Sequence, residues 1–235
     1  MIFKERYREP TLELVLPTML VSNVFLSAFY ERGGFSLLGV VLSMVPVISV
    51  SETLAFSLGL RNVIFVTGDH LYNESIISFL TTPVRREELF AFIYFSDVVV
   101  PVLLWAFTTA LYSLLSGVPV PPLLALTFVV GYFFAENLVL LLTLVFKSPG
   151  VSTLVSIFVL GGVFVFGDAG EYFYALQGEY GKIFALSFTN PFVPWIITAL
   201  GKDLYQQVEV GVAVDGFIAA LTFVLSFLKF RGLEV

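Results

Sequence analysis

The chain has no cysteine. A disulfide framework, a thiolate nucleophile and a cysteine-ligated metal are therefore excluded. It has one histidine, His70, and no partner stands at metal-ligand spacing from it. Metal binding and general acid–base catalysis both need convergent groups, so His70 reads as a structural or interfacial residue. The sequence contains no H-E-x-x-H or G-x-S-x-G motif. Phosphate loops are missing too: Gly181-Lys182 and Gly201-Lys202 lack both the preceding glycine and the following hydroxyl. No ATP hydrolysis, metal or cofactor is expected of this chain alone. Charge is scarce, with 13% charged residues against roughly 25% in a soluble domain. The net charge is −6 and no basic stripe occurs, which excludes nucleic acid as a partner. The N-terminus, M-I-F-K-E-R-Y-R-E-P, lacks a cleavable signal pattern, so the first apolar run is expected to stay as an anchor.

What is present is apolar surface. Hydrophobic residues make up 58% of the chain, more than a soluble fold of this length can bury. The chain therefore reads as an all-α integral membrane protein of a single transmembrane domain, 1–235. Six apolar runs of spanning length are expected, at about 12–30, 35–58, 89–115, 123–146, 151–167 and 208–230. The amphipathic segment 1–11 precedes them. The run from Phe35 is interrupted by Glu52 and Arg61, and its helix is expected to continue into water toward Asp69, His70 and Asn73. The fifth run is short, and its Gly161-Gly162 and Gly167 fit either close helix packing or flexibility. The connection 168–207 is long and aromatic, with the piece N-P-F-V-P-W-I-I-T-A-L-G-K-D, and one or two short helices at the outer leaflet are expected there. With the N-terminus inside, only Arg32, Lys182 and Lys202 of the 12 lysines and arginines fall outside. That asymmetry favours six spans with both termini cytoplasmic, in the cell membrane.

The stretch N-E-S-I-I-S-F-L-T-T-P-V-R-R-E-E-L, residues 73–89, stands out as polar. Asn73 is placed to cap a short helix with Glu74 in its first turn. Glu74, Ser75, Ser78, Thr81 and Thr82 fall on one face, and Ile76, Ile77 and Leu80 on the other. Pro83 suits the first position of a following helix capped by Thr82, whose wet first turns hold Arg85, Arg86, Glu87 and Glu88. By pattern alone this is a polar loop between two spans or a surface that another protein reads.

Three acids lie at membrane depth: Glu136, with Asn137 beside it, in the fourth run, Asp97 in the third and Asp215 in the sixth. Such groups mark ion or substrate paths, or serve as hydrogen-bonded glue between helices. No lysine or arginine accompanies them within the spans, which weakens a proton-coupled carrier.

The pattern resembles the permease subunit of ABC type-2 transporters. In that family an acidic residue precedes a short amphipathic segment and a Leu-x-x-Pro-x-x-Arg element. Glu74, Leu80, Pro83 and Arg86 are similar to it. The resemblance implies an N-terminal interfacial helix, six transmembrane helices, a cytoplasmic coupling helix at 73–88 and short extracellular re-entrant helices between the last two spans. It also implies an interface for a separate ABC ATPase subunit at Asp69, His70, Asn73, Glu74, Ser75, Ser78, Phe79, Leu80, Thr82, Pro83, Arg85 and Arg86. ATP and Mg would reside on that partner, and a second permease copy or a homologous permease would complete the path in the lipid bilayer. The segment from Glu52 to Tyr72 is longer and more apolar than the family's pattern.

Two other functions compete. An autonomous ion-coupled carrier or channel would use Glu136, Asp97 and Asp215. An intramembrane enzyme would need acids from separate helices to converge, because no two acids share an i, i+3 or i, i+4 spacing within one span.

Overall fold

The computed structural model describes residues 7, 17–22, 39–80, 84–117 and 119–233, and of residues 39–49, 80 and 116 the backbone alone. Every regular element among them is helical. Segment 1–11, apart from Tyr7, and most of the first expected span lie outside the described residues; within that span, residues 17–22 are helical.

Helix α1 is continuous from Gly39 to Tyr72: Gly39–Leu60 is α-helical, Arg61–Thr67 widens into a π-helical stretch, and Gly68–Tyr72 tightens again. The short α2 is Ile76–Leu80. Helix α3 joins Arg86–Tyr94, a π-helical Phe95–Val99 and Val100–Ser116. Helix α4 is Pro122–Phe146. Helix α5 joins Pro149–Gly161, a third π-helical stretch at Gly162–Phe166, and Gly167–Leu176. Two short helices follow, α6 at Tyr180–Ile183 and α7 at Phe192–Ala199, and then the long α8, Tyr205–Arg231.

Among the described residues, four helices are long and apolar enough to cross a bilayer: Arg86–Leu115 within α3, then α4, α5 as Pro149–Leu176, and α8, with mean hydropathies of 2.0 or 2.1. A span needs only about 20 such residues. The chain has the build of a multi-pass helical membrane protein.

Local chemistry sets the helix ends. Pro122 and Pro149 occupy first positions, where a missing N–H leaves no bond unmade. Gly117 ends α3 with φ 70°, a left-handed conformation that glycine adopts freely. Lys147 does the same after α4 with φ 52°, and Pro149 then prevents the helix from resuming its course. The connections at 117–121 and 147–148 are short, as expected of neighbours that pack antiparallel.

The fifth span does not stop at Gly167. Its helix runs on to Leu176, so the connection begins nine residues later than its glycines suggest. Gly167 serves packing: a Cβ there would lie 2.0 Å from the Thr189 hydroxyl oxygen. The α6–α7 segment thus leans directly on the helix. Gly211 plays the same part on α8, where a Cβ would lie 2.2 Å from the Ser187 carbonyl oxygen.

The core lies where α4 meets α8 and α3. Asn137 on α4 donates from Nδ2 to the Ala219 carbonyl on α8 at 3.0 Å. Phe90 on α3 sits 5.4 to 5.8 Å from the rings of Phe223, Phe227 and Phe230 on α8. Ring pairs at such spacing add about 0.5–1.5 kcal/mol each beyond their buried area. Helix α5, by contrast, exposes Leu154, Ile157, Phe158, Val165 and Phe166, a face suited to lipid or to another apolar helix.

In the connection before α8, Lys182 lies 2.6 Å from Glu179. The hydrogen bond to that carboxylate raises the ammonium above its ordinary pKa. Lys182 also stands 5.3 Å from the Tyr174 ring centre, and Lys202 stands 5.5 Å from that of Tyr180, so both cations rest on aromatic faces.

Candidate functional site

The polar stretch forms a braced knob. Helix α1 reaches Tyr72, so Asn73 closes that helix and does not open the next one; its N–H donates to the Asp69 carbonyl at 2.9 Å. Glu74 follows with φ 56°, the left-handed conformation that commonly ends a helix but is disfavoured for a residue with a Cβ. Helix α2 then starts at Ile76, two residues later than an Asn73 cap would place it. The expectation of that cap failed because the preceding helix is longer than its apolar run, and its last carbonyls claim the turn.

Side chains then lock α2 to α1. His70 Nδ1 and Ser75 Oγ are 2.8 Å apart, and the His70 and Phe79 rings meet edge-on at 5.4 Å. The Ser78 hydroxyl donates to the Ser75 carbonyl at 2.7 Å. Ile76 is buried and Phe79 half-buried against the core. Asp69, Asn73, Glu74, Ser75 and Ser78 are exposed. Leu80 is placed by its backbone alone, and Thr82 and Pro83 lie outside the described residues. Tyr72, exposed beside Glu74, belongs to the same surface although the sequence pattern did not single it out. Its signal is an aromatic residue at the polar end of an apolar helix.

Helix α3 begins at Arg86, with Arg85 extended before it, three residues after the proline expected to start it. Arg85 pairs with Glu88 at 3.9 Å, both exposed, a contact that contributes little. Arg86 turns inward. Its Nη1 donates to the Arg231 carbonyl at 2.9 Å and to the Leu233 carbonyl at 2.6 Å. Glu87 closes the clasp with Arg231 at 3.4 Å. A cation bonding the last carbonyls of a helix both satisfies them and meets the negative end of the dipole. Arg86 therefore ties the start of α3 to the end of α8.

The membrane-depth acids separate into two groups. Asp97, fully buried in the π-helical stretch of α3, accepts from Thr67 Oγ1 at 2.6 Å and from Ser96 Oγ at 2.8 Å. The Ser96 carbonyl accepts from the Tyr7 hydroxyl. Asn62 donates to the same hydroxyl at 3.2 Å, and Arg61 donates to Asn62 at 2.9 Å. The π-helical stretches of α1 and α3 supply most of this network, in keeping with the placement of such bulges at functional sites. Glu136 on α4 is fully buried within electrostatic reach of Asp97. Its carboxyl faces the Leu60 backbone, and no side chain among the described residues hydrogen-bonds its oxygens. Its carboxyl fits only because Gly59 has no side chain: a Cβ there would lie 2.5 Å from Glu136 Oε1 and 2.7 Å from the Tyr132 hydroxyl. Asn137 next to it is the glue between α4 and α8.

Asp215 joins a different group. It is fully buried on α8 within electrostatic reach of Glu171 on α5, and Asp168 stands beside Glu171. The carboxyl oxygens of Asp215 and Glu171 have no hydrogen-bond partner among the described residues. Glu171 was missed by sequence reasoning because the segment holding it was placed beyond the fifth span. No set of three His, Asp or Glu residues able to hold a metal occurs among the described residues. No protein-family model, curated protein or solved structure matches this chain.

Proposed function

We propose that the chain is the membrane-spanning permease subunit of an ATP-driven ABC exporter, with α2 as the coupling helix. The observation that carries this is the knob itself. A short helix, anchored by Ile76 and Phe79 and exposed at Glu74, Ser75 and Ser78, stands between the ends of two long helices. Force applied to α2 passes to α1 through the His70–Ser75 contact and to α3 through the chain. Arg86 extends the linkage to α8. Exposed Asp69, Glu74, Glu87 and Glu88 outnumber exposed Arg85 on this surface, so the ATPase groove receiving it is expected to be basic. ATP and Mg belong to that partner, and closure drives transport only if ATP binds the closed pair better than the open one. Six spans, cytoplasmic termini, location in the cell membrane and a second permease copy complete the proposal; the lysine and arginine asymmetry supports the orientation. The test is coupled ATP hydrolysis with Glu74→Lys, which reverses the knob's charge at an exposed position. Transport falling to background while the chain still folds supports coupling through α2; undiminished coupled hydrolysis and transport contradict it.

A second reading rests on the convergence of Asp97 and Glu136. Two carboxyl groups at membrane depth suit a proton-driven carrier. Transport by the chain alone in liposomes, driven by a pH gradient and abolished in Glu136→Gln, would favour it over the permease.

A further inference from the structure

Two cavities run along the seam between α1 and α5, with α4 as the floor of one. The first, about 250 Å³, is lined by Glu52 and by rings including Phe128, Tyr132 and Phe192, with Asn190 and Gly131 at its edge. The second, about 400 Å³, lies between Leu60 and Ile64 of α1 and Ile157, Leu160 and Gly161 of α5. Phe56 and Phe164 line both. Their sizes fall near the lower end of small-molecule sites.

Two features of the seam point to a ligand. Glu52 Oε1 is shut off from solvent with no hydrogen-bond partner, and no ion pair to Glu52 occurs among the described residues. Burial alone disfavours the charged form of such a carboxyl, and a cation placed against it restores that form; the surrounding aromatic faces attract cations as well. The glycines supply the second feature. Glycine within a helix costs about 1 kcal/mol relative to alanine, and Gly59, Gly167 and Gly211 each repay it through a close approach. Gly131 and Gly161 do not: a Cβ at either meets nothing within 4 Å. Each of them borders one of the cavities and holds its volume open.

We infer that this seam binds an amphiphilic organic cation, with its head at Glu52 among the rings of the first cavity and its hydrocarbon tail in the second. Binding needs only this chain, so it stands or falls separately from coupling to an ATPase. The probe is a dodecyltrimethylammonium carrying a diazirine on its tail, added to the full chain in nanodiscs of zwitterionic lipid. Saturable photolabelling of α1 and α5 is expected, with 1-dodecanol competing at least about tenfold more weakly than unlabelled dodecyltrimethylammonium. Glu52→Gln keeps the shape and removes the charge, and about tenfold weaker binding is expected of it. Gly131→Leu puts a side chain into the first cavity from a position where the Cβ itself meets nothing within 4 Å, and it is expected to abolish saturable labelling while the chain elutes as a folded monodisperse species. Labelling that does not saturate, equal competition by the alcohol, or wild-type binding in both variants would overturn the inference. A second copy of the chain covering the seam would also overturn it, seen as crosslinks between copies at α5 that the cation does not displace.

Discussion

Gly59→Ala tests the packing of the buried acids. The new methyl carbon would lie 2.5 Å from Glu136 Oε1 and 2.7 Å from the Tyr132 hydroxyl oxygen. Ordinary carbon–oxygen contacts are about 3.3 Å or longer, so the carboxyl must retreat by about 0.8 Å. It has little room, because Glu136 is fully buried and the Tyr132 hydroxyl is held by its bond to the Val98 carbonyl at 2.8 Å. Overpacking of this kind costs about 1–3 kcal/mol. Alanine recovers about 1 kcal/mol of helix propensity, leaving a net loss of up to about 2 kcal/mol. In a Glu136→Ala background only the Tyr132 hydroxyl still opposes the methyl, and it can shift into the space the carboxyl vacates, so Gly59→Ala is expected to be neutral or stabilising. A double-mutant cycle, read from reversible unfolding in mixed micelles, should therefore give a coupling energy of about 1–3 kcal/mol. A coupling below about 0.5 kcal/mol would refute the placement of Glu136 against Gly59.

Three further outcomes are expected. Arg86→Met removes both bonds to the carbonyls of Arg231 and Leu233; charged hydrogen bonds contribute about 1.5–3 kcal/mol each when buried and less here, so amide exchange in the last turn of α8 should accelerate at least about tenfold, and unchanged protection would contradict the clasp. Glu74→Gly relieves a left-handed backbone at φ 56° and should stabilise the chain by about 1 kcal/mol in thermal unfolding, whereas destabilisation would mean the Glu74 side chain itself holds the turn. Thr67→Val deprives Asp97 of its 2.6 Å donor and should destabilise by about 1–3 kcal/mol, with Thr67→Ser restoring most of it; a loss that serine does not recover would place the effect in packing.

The long helices were legible because apolar runs of spanning length leave few alternatives in a bilayer, and Pro122, Gly117 and Pro149 mark ends by rules that act within a few residues. The polar knob was legible as a place but not in its register. Asn73 and Glu74 suit the end of one helix as well as the start of another, and what decides is how far α1 continues past Arg61. Gly167 looked like a stop because a glycine's use for close approach depends on Thr189, far along the chain. Asp97 with Glu136 and Asp215 with Glu171 come from separate helices, so no spacing in the sequence announces either pair. Arg86 matched a motif by position, yet its partners are carbonyl oxygens of the C-terminal segment, which carry no sequence signal at all. Glu52 read as a break in the apolar run from Phe35; the packing of α1 against α4 and α5 is what turns it toward a cavity.

The most direct test of the proposed coupling role is to purify the tagged full chain gently from its native membrane and measure what accompanies it, beside a Glu74→Lys chain purified in the same way. The permease assignment predicts an ATPase subunit in equal amount with the wild type and its loss with the variant. A wild-type chain that arrives alone and moves substrate in liposomes without ATP would contradict it.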